Sequence, residues 1–266
     1  MKITINGTET ETSCRTVMHL HDTLYSDTDV IVLNGYQIPD DAELNENDRL
    51  YFGKKNVFPN MKELEMMMSA RESPFVYDKL KGATVGIAGL GGLGSNIAAM
   101  LARSGIGHLV IADFDTVEPT NLNRQNYYVN NVGMKKTDST EEILFQINPF
   151  IKITKNFTKI DENNITDIFG KCDVVCEAFD SPFAKAMLIN ALLEKCPEIM
   201  VISGSGMGGY EDSNLIRTKM RMKRLYVCGD DINEAATGMG LMAPRVTICA
   251  GHMANAVIRI LIGSIQ

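Results

Sequence analysis

The sequence predicts an α/β protein: a doubly wound, mostly parallel sheet with an antiparallel extension, preceded by a small α+β module. Three observations carry this expectation. From Ala83 onward, short apolar β-type runs alternate with amphipathic helical patterns. A Gly-x-Gly-x-x-Gly spacing falls between the first of these strands and the first of these helices. Residues 1–53 keep a different rhythm, with period-2 runs and two Asn-Gly pairs.

In chain order, "MKITING" alternates at period 2, turns at Asn-Gly and returns through "TETETS". "SCRTVMHLHDTL" places apolar residues at helical spacing behind Ser13, a candidate cap. "DVIVLNGYQIP", with its own Asn-Gly turn, and "DRLYFG" complete a β-β-α-β-β order. That order resembles the β-grasp, ubiquitin-like fold of sulfur-carrier proteins. Such carriers act through a free C-terminal Gly-Gly, whereas here "FGKKNVFPN" runs on into more chain. The expected division is a β-grasp module over 1–57 without a free Gly-Gly tail, and a second domain over 58–266.

"MKELEMMMSARESP" reads as a helix that ends before Pro74. Strands follow at "ATVGIAG", "HLVIAD", "IKITKNF", "CDVVCEAF" and "IMVISG", with helical patterns between them. After Gly209, "NLIRTKMRM" and "RLYVCG" read as extended, antiparallel segments. "APRVTICAGHMANAVIRILIG" reads as a closing helix with Pro in its first turn.

The composition limits the function. A net charge of −7 argues against a nucleic-acid partner, which needs clustered Lys and Arg. No apolar run reaches the length of a membrane span, and the first residues lack the apolar stretch of a signal peptide. A soluble, cytoplasmic protein is expected. The six cysteines form no CxxC pair, so reduced thiols and no zinc are expected. Cys172 and Cys176, four apart in a β-type run, read as core thiols on one face.

Gly89, Gly91 and Gly94 stand where a phosphate-binding loop belongs, after a strand and before a helix. Small residues let the backbone approach a pyrophosphate, and the helix N-terminus offers free N–H groups. Asp113 ends the next strand, where a carboxylate meets ribose hydroxyls. This specifies a nucleotide in a Rossmann-like fold but no reaction. "DFDTVEPTNLNRQ" narrows it. Asn121, Arg124 and Gln125, then Lys135 and Lys136, put cations and amides beside the loop. A nicotinamide coenzyme needs few of them. A triphosphate cleaved at its α-phosphorus accumulates charge on the departing pyrophosphate and needs many. Asp180, just past a later strand end, is placed to hold Mg²⁺ through oxygen.

Taken in order, "GLGGLGSN", "DFDTVEPTNLNRQ", "GMKK" and "FDS" resemble the ThiF/MoeB family, the ubiquitin-activating-enzyme-like adenylyltransferases of sulfur-carrier proteins. The likeness covers roughly residues 70–265 and points to the thiamine-pathway branch acting on the carrier ThiS. It implies ATP and Mg²⁺ as cofactors, a ubiquitin-like carrier ending in Gly-Gly as partner, and a homodimer. It implies that Gly89, Gly91, Gly92, Gly94, Asp113, Asp115, Asn121, Arg124, Gln125 and Lys136 surround the nucleotide. Arg124, Lys136, Asp180 and Arg71 would carry the catalysis, Arg71 acting from the neighbouring subunit and Asp180 on the metal. Cys228 is the nearest candidate for a sulfur-transfer cysteine; the plainer reading is a strand-end thiol.

A carboxylate nucleophile is already ionised at neutral pH and needs no general base. That agrees with four histidines lying outside the motifs. The same motifs would serve a molybdopterin-type carrier, a peptide C-terminus or a carboxylate on modified tRNA, the last disfavoured by net charge. A nicotinamide oxidoreductase and a non-catalytic scaffold are the rivals from other classes.

Overall fold

The computed structural model describes residues 1–69, 74–234 and 239–264. Two compact units, Met1–Asp78 and Lys79–Gln266, divide the chain.

In the first unit the order is β1 (Lys2–Ile5), β2 (Thr8–Glu11), α1 (Val17–Leu24), β3 (Val30–Leu33), β4 (Tyr36–Gln37) and β5 (Arg49–Gly53). The sheet runs β2-β1-β5-β3-β4, with β1 and β5 parallel at its centre. Both expected Asn-Gly pairs close hairpins. Asn6 and Gly7, and Asn34 and Gly35, all adopt positive φ, which makes the turn twist match the strands. The helix packs Val17 and Leu20 onto Ile3, Ile5, Leu50 and Phe52. Its cap is Thr16, whose hydroxyl accepts from the His19 amide, not Ser13; helical geometry starts three residues later than the sequence suggests. α2 (Met61–Ser69) follows, and Pro74 opens α3 (Pro74–Gly82), the first turn being where a missing N–H costs nothing.

The second unit holds β6 (Thr84–Ala88), α4 (Gly92–Arg103), β7 (His108–Asp113), α5 (Lys136–Ile147), β8 (Lys152–Phe157), α6 (Ile165–Phe169), β9 (Val174–Glu177), α7 (Pro182–Lys195), β10 (Met200–Gly204), β11 (Arg217–Met222), β12 (Leu225–Gly229) and α8 (Ala243–Leu261). Its sheet runs β11-β12-β10-β9-β6-β7-β8, parallel throughout except for β11. Ala88, Val110, Val175 and Val201 pack on Ile165 and Phe169 of α6 and on Leu188 and Leu192 of α7. α4 packs against α5 and α8. The sheet is therefore covered on both faces, which explains why its strands read as nearly continuous apolar runs.

After β6 the chain winds outward to β7 and β8, then returns to place β9 on the other side of β6. That reversal opens a crevice past the carboxyl ends of β6 and β9, the usual ligand position in such sheets. Among the described residues no helix is long and apolar enough to cross a membrane.

Cys172 corrects one expectation. It precedes β9 and packs with Val175 and Phe169, while Cys176, the strand neighbour of Val175, faces the other side. Both are buried. Burial pushes the Cys172 thiol up to about 12 and raises Cys176 as well, so neither is ionised at neutral pH.

Candidate functional site

A cleft of about 750 Å³ lies at the reversal point, lined by the glycine loop on one side and the start of α7 on the other. Its size lies within the range of small-ligand sites.

The loop turns on Gly89, whose φ of +90° suits glycine, and whose N–H donates to the Ala112 carbonyl at 2.9 Å. Gly91 caps α4 without any side-chain hydrogen bond, so the helix presents unfilled donors to the cleft. Gly91 and Gly92 line it, whereas Gly94 does not. A Cβ on Gly94 would stand 1.8 Å from the Gly89 carbonyl oxygen, so this glycine sets how closely helix and loop pack. Gly94→Ala is expected to destabilise the protein by at least about 2 kcal/mol, the scale of forced overpacking. A thermal melt should show this as a fall of at least about 5 °C in Tm; an unchanged Tm would contradict the packing role.

Asp113 sits 7% exposed at the end of β7. One carboxylate oxygen accepts from the Leu90 amide at 2.6 Å and the other from the Asp115 amide at 2.8 Å. The carboxylate thus ties the glycine loop to β7 and still lines the cleft. Burial raises its pKa, against the pull of Lys136 and these two amides. Lys136, at the start of α5 and equally buried, reaches Asp115 through Nζ at 2.8 Å.

The segment after Asp115 folds back onto the loop. Asn121 Oδ1 accepts from the Glu118 amide at 3.0 Å, closing a 3-10 turn, and the residue does not line the cleft. Arg124 does: its Nη1 donates to the Thr120 carbonyl at 3.1 Å and to Asn123 Oδ1 at 2.9 Å. Both partners belong to its own turn, so the guanidinium keeps donors to spare. Gln125 is buried against the cleft, and its Oε1 has no partner among the described residues. A buried amide oxygen left unmatched is costly unless a ligand meets it.

Three residues that motif reasoning passes over staple this segment. Ser95 Oγ accepts from the Asn126 amide at 3.0 Å, Asn96 Nδ2 donates to the Arg124 carbonyl at 3.1 Å, and Tyr127 donates to the Leu90 carbonyl at 2.8 Å. For Ser95 and Asn96 the signal is the "SN" directly after the last glycine; Tyr127 has no such signal.

Asp180 faces this assembly from beyond β9, exposed, lining the cleft and without a hydrogen-bond partner among the described residues. Arg71 lies outside the described residues. Cys228 is fully buried in β12 beside Thr218 and does not line the cleft. Burial pushes its thiol up to about 11, despite the Thr218 hydroxyl, so a reactive thiolate is disfavoured there.

The cleft wall after β12 is fixed by a buried ion pair. Asp230 accepts from the Ile232 and Asn233 amides, the Asn233 side chain and Arg245 of α8. Arg245 also donates to the Glu211 and Asp212 carbonyls. Burial alone would raise the Asp230 carboxyl, but these donors outweigh it and hold the pKa at about 2. The folded value lies below the unfolded one, so this stabilisation is complete above about pH 4 and is lost as pH falls through about 2. The stability gap between wild type and Asp230→Asn in urea melts should shrink by about 2 kcal/mol between pH 5 and pH 2. A gap independent of pH would contradict it.

The ThiF family model matches residues 64–266, more than half of the chain. The chain belongs to the ThiF family. A second model, ThiS-like ubiquitin, matches residues 1–56. Over 131 residues this ThiF-family chain is 37% identical to the adenylyltransferase and sulfurtransferase UBA4 of Eremothecium gossypii, covering 49% of this chain and 29% of that protein. Over 133 residues it is 36% identical to the molybdopterin-synthase adenylyltransferase of Haemophilus influenzae, covering 49% and 53%. Its fold is similar to the E. coli tRNA N6-threonylcarbamoyladenosine dehydratase TcdA in complex with ATP. There the TM-score is 0.69 at 21% identity, over 78% of this chain and 98% of that one.

Proposed function

We propose that the second unit adenylates the C-terminal glycine carboxylate of a ubiquitin-like sulfur carrier, ThiS of the thiamine pathway, releasing pyrophosphate. The observation that carries this reading is the composition of one cleft. A glycine loop and open helix N-terminus stand on one side with Arg124, Gln125 and Lys136, and Asp180, without a hydrogen-bond partner among the described residues, stands on the other. It is supported by relatives named as adenylyltransferases and by a structural neighbour that holds ATP.

In this mechanism the glycine loop and α4 amides take the phosphates, and Asp113 takes the ribose hydroxyls. Arg124 and Lys136 neutralise the triphosphate as the carrier carboxylate closes on the α-phosphorus. A bond forms from carboxylate oxygen to that phosphorus, the bond to the bridging oxygen breaks, and pyrophosphate leaves with the electron pair. No proton moves, so no histidine is needed, and none lines the cleft. The obstacle is bringing an anion to a polyanion, which alignment and fixed cations overcome. Lys136 leaves Asp115 to meet phosphate, exchanging one anion for another. Asp180 offers the hard oxygen donor that Mg²⁺ prefers. When bound there, Mg²⁺ would add charge neutralisation at the leaving pyrophosphate. The enzyme is proposed to act as a cytoplasmic homodimer with Arg71 reaching the site of the neighbouring subunit. The β-grasp module, lacking a free Gly-Gly, is not itself a substrate.

An ATP–pyrophosphate exchange assay with a panel of carriers ending in Gly-Gly tests this. Exchange with a thiamine-type carrier, and little with a molybdopterin-type one, is expected. Exchange with none of them, or carrier-independent reduction of a nicotinamide coenzyme, would contradict the reading.

A further inference from the structure

Asp180 makes no hydrogen bond among the described residues, yet its carboxylate must be held in place to be useful. We infer that Glu177 is the positioning residue for Asp180, acting through the amide of Phe179. This rests on the reading of Asp180 as the metal-facing carboxylate.

Glu177 is the last residue of β9 and is completely buried. Its Oε1 accepts from the Phe179 N–H at 2.7 Å, fixing the bend immediately before Asp180. Its Oε2 accepts from Ser203 Oγ of β10 at 2.6 Å and from Lys185 Nζ of α7. One carboxylate therefore joins the strand end, the neighbouring strand and the helix that flank Asp180. On the far side of Asp180, Ser181 caps α7 and fixes the other half of the bend. A buried carboxylate survives only when its oxygens are matched, and here each oxygen has a partner. An apolar residue would fill the space but could not hold the Phe179 amide. Side chains that hold a metal-facing ligand in position tune metal affinity without touching the metal.

The test separates reach from charge. Glu177→Gln keeps an acceptor within reach of Phe179 and removes the charge. Glu177→Asp keeps the charge and falls one methylene short. Calorimetric ATP affinity is measured on the full chain with and without Mg²⁺, with thermal melts alongside. E177Q is expected to keep the Mg²⁺-dependent gain within about threefold of wild type, while E177D loses about tenfold of it. Metal-free ATP affinity should stay within about twofold in E177D, which keeps a carboxylate beside Lys185, a residue lining the cleft. A wild-type gain in E177D, or a larger loss in E177Q than in E177D, overturns the inference and leaves the adenylation reading intact. A wild-type protein that binds ATP equally with and without Mg²⁺ overturns both this inference and the metal assignment at Asp180. Should E177D fail to fold, Ser203→Ala gives a second readout, because it removes one of the two donors that hold the other oxygen of the same carboxylate, leaving Lys185. About a threefold loss of the gain is expected there, and no loss overturns the inference.

Discussion

Arg124→Ala is expected to lose at least about 10²-fold in carrier-dependent ATP–pyrophosphate exchange, the scale of removing one transition-state charge partner, about 3 kcal/mol. The guanidinium lines the cleft beside the open N-terminus of α4, held by the Thr120 carbonyl and Asn123. Those contacts orient it without neutralising it, since both partners are uncharged oxygens. Charge grows on the leaving pyrophosphate as the α-phosphorus bond breaks, so most of the loss should fall on kcat rather than on ATP affinity. The Asn96 bond to the backbone carbonyl of Arg124 survives the substitution, so the fold should be kept. Near-normal exchange would remove Arg124 from the chemistry.

The second large effect is expected at Asp180. Asp180→Asn should cost a similar factor in exchange while metal-free ATP binding is largely kept. Its carboxylate stands across the cleft from the glycine loop and makes no bond that supports the fold among the described residues. Thermal stability should therefore be unchanged within about 0.5 kcal/mol, as for an exposed substitution away from structural features. If metal-free ATP affinity collapses instead, Asp180 holds the nucleotide directly and the metal role falls.

The two substitutions draw on different walls of one cleft, and the sequence makes these walls legible to different degrees. The glycine wall is readable because its physics is local. Gly89 and Gly91 follow a strand and open a helix, and the strand between Ala83 and Gly89 is apolar on both faces because the sheet is covered on both. The two Asn-Gly turns were readable for the same reason, each needing positive φ at adjacent residues. Asn121, expected beside the nucleotide, shows a structural task that the motif does not announce. It stands among residues that line the cleft, but its amide closes a turn behind them. Glu177 shows the opposite. Nothing in "VVCEAF" marks a carboxylate that will meet Ser203, because that pairing exists only once β9 and β10 lie side by side. Asp230, just after β12, and Arg245 of α8 meet in the same way. The cap at Thr16 rather than Ser13 depends on where the chain leaves β2, a boundary that composition does not set.

One claim underlies the mechanism: that Arg124 and Lys136 turn toward the phosphates of bound ATP and neutralise the leaving pyrophosphate. The direct test is a crystal structure with Mg²⁺ and a non-hydrolysable ATP analogue. The Arg124 guanidinium and Lys136 Nζ should each lie within hydrogen-bond distance of a phosphate oxygen, about 3 Å. Arg124 pointing into solvent, with Lys136 still paired to Asp115, would contradict it.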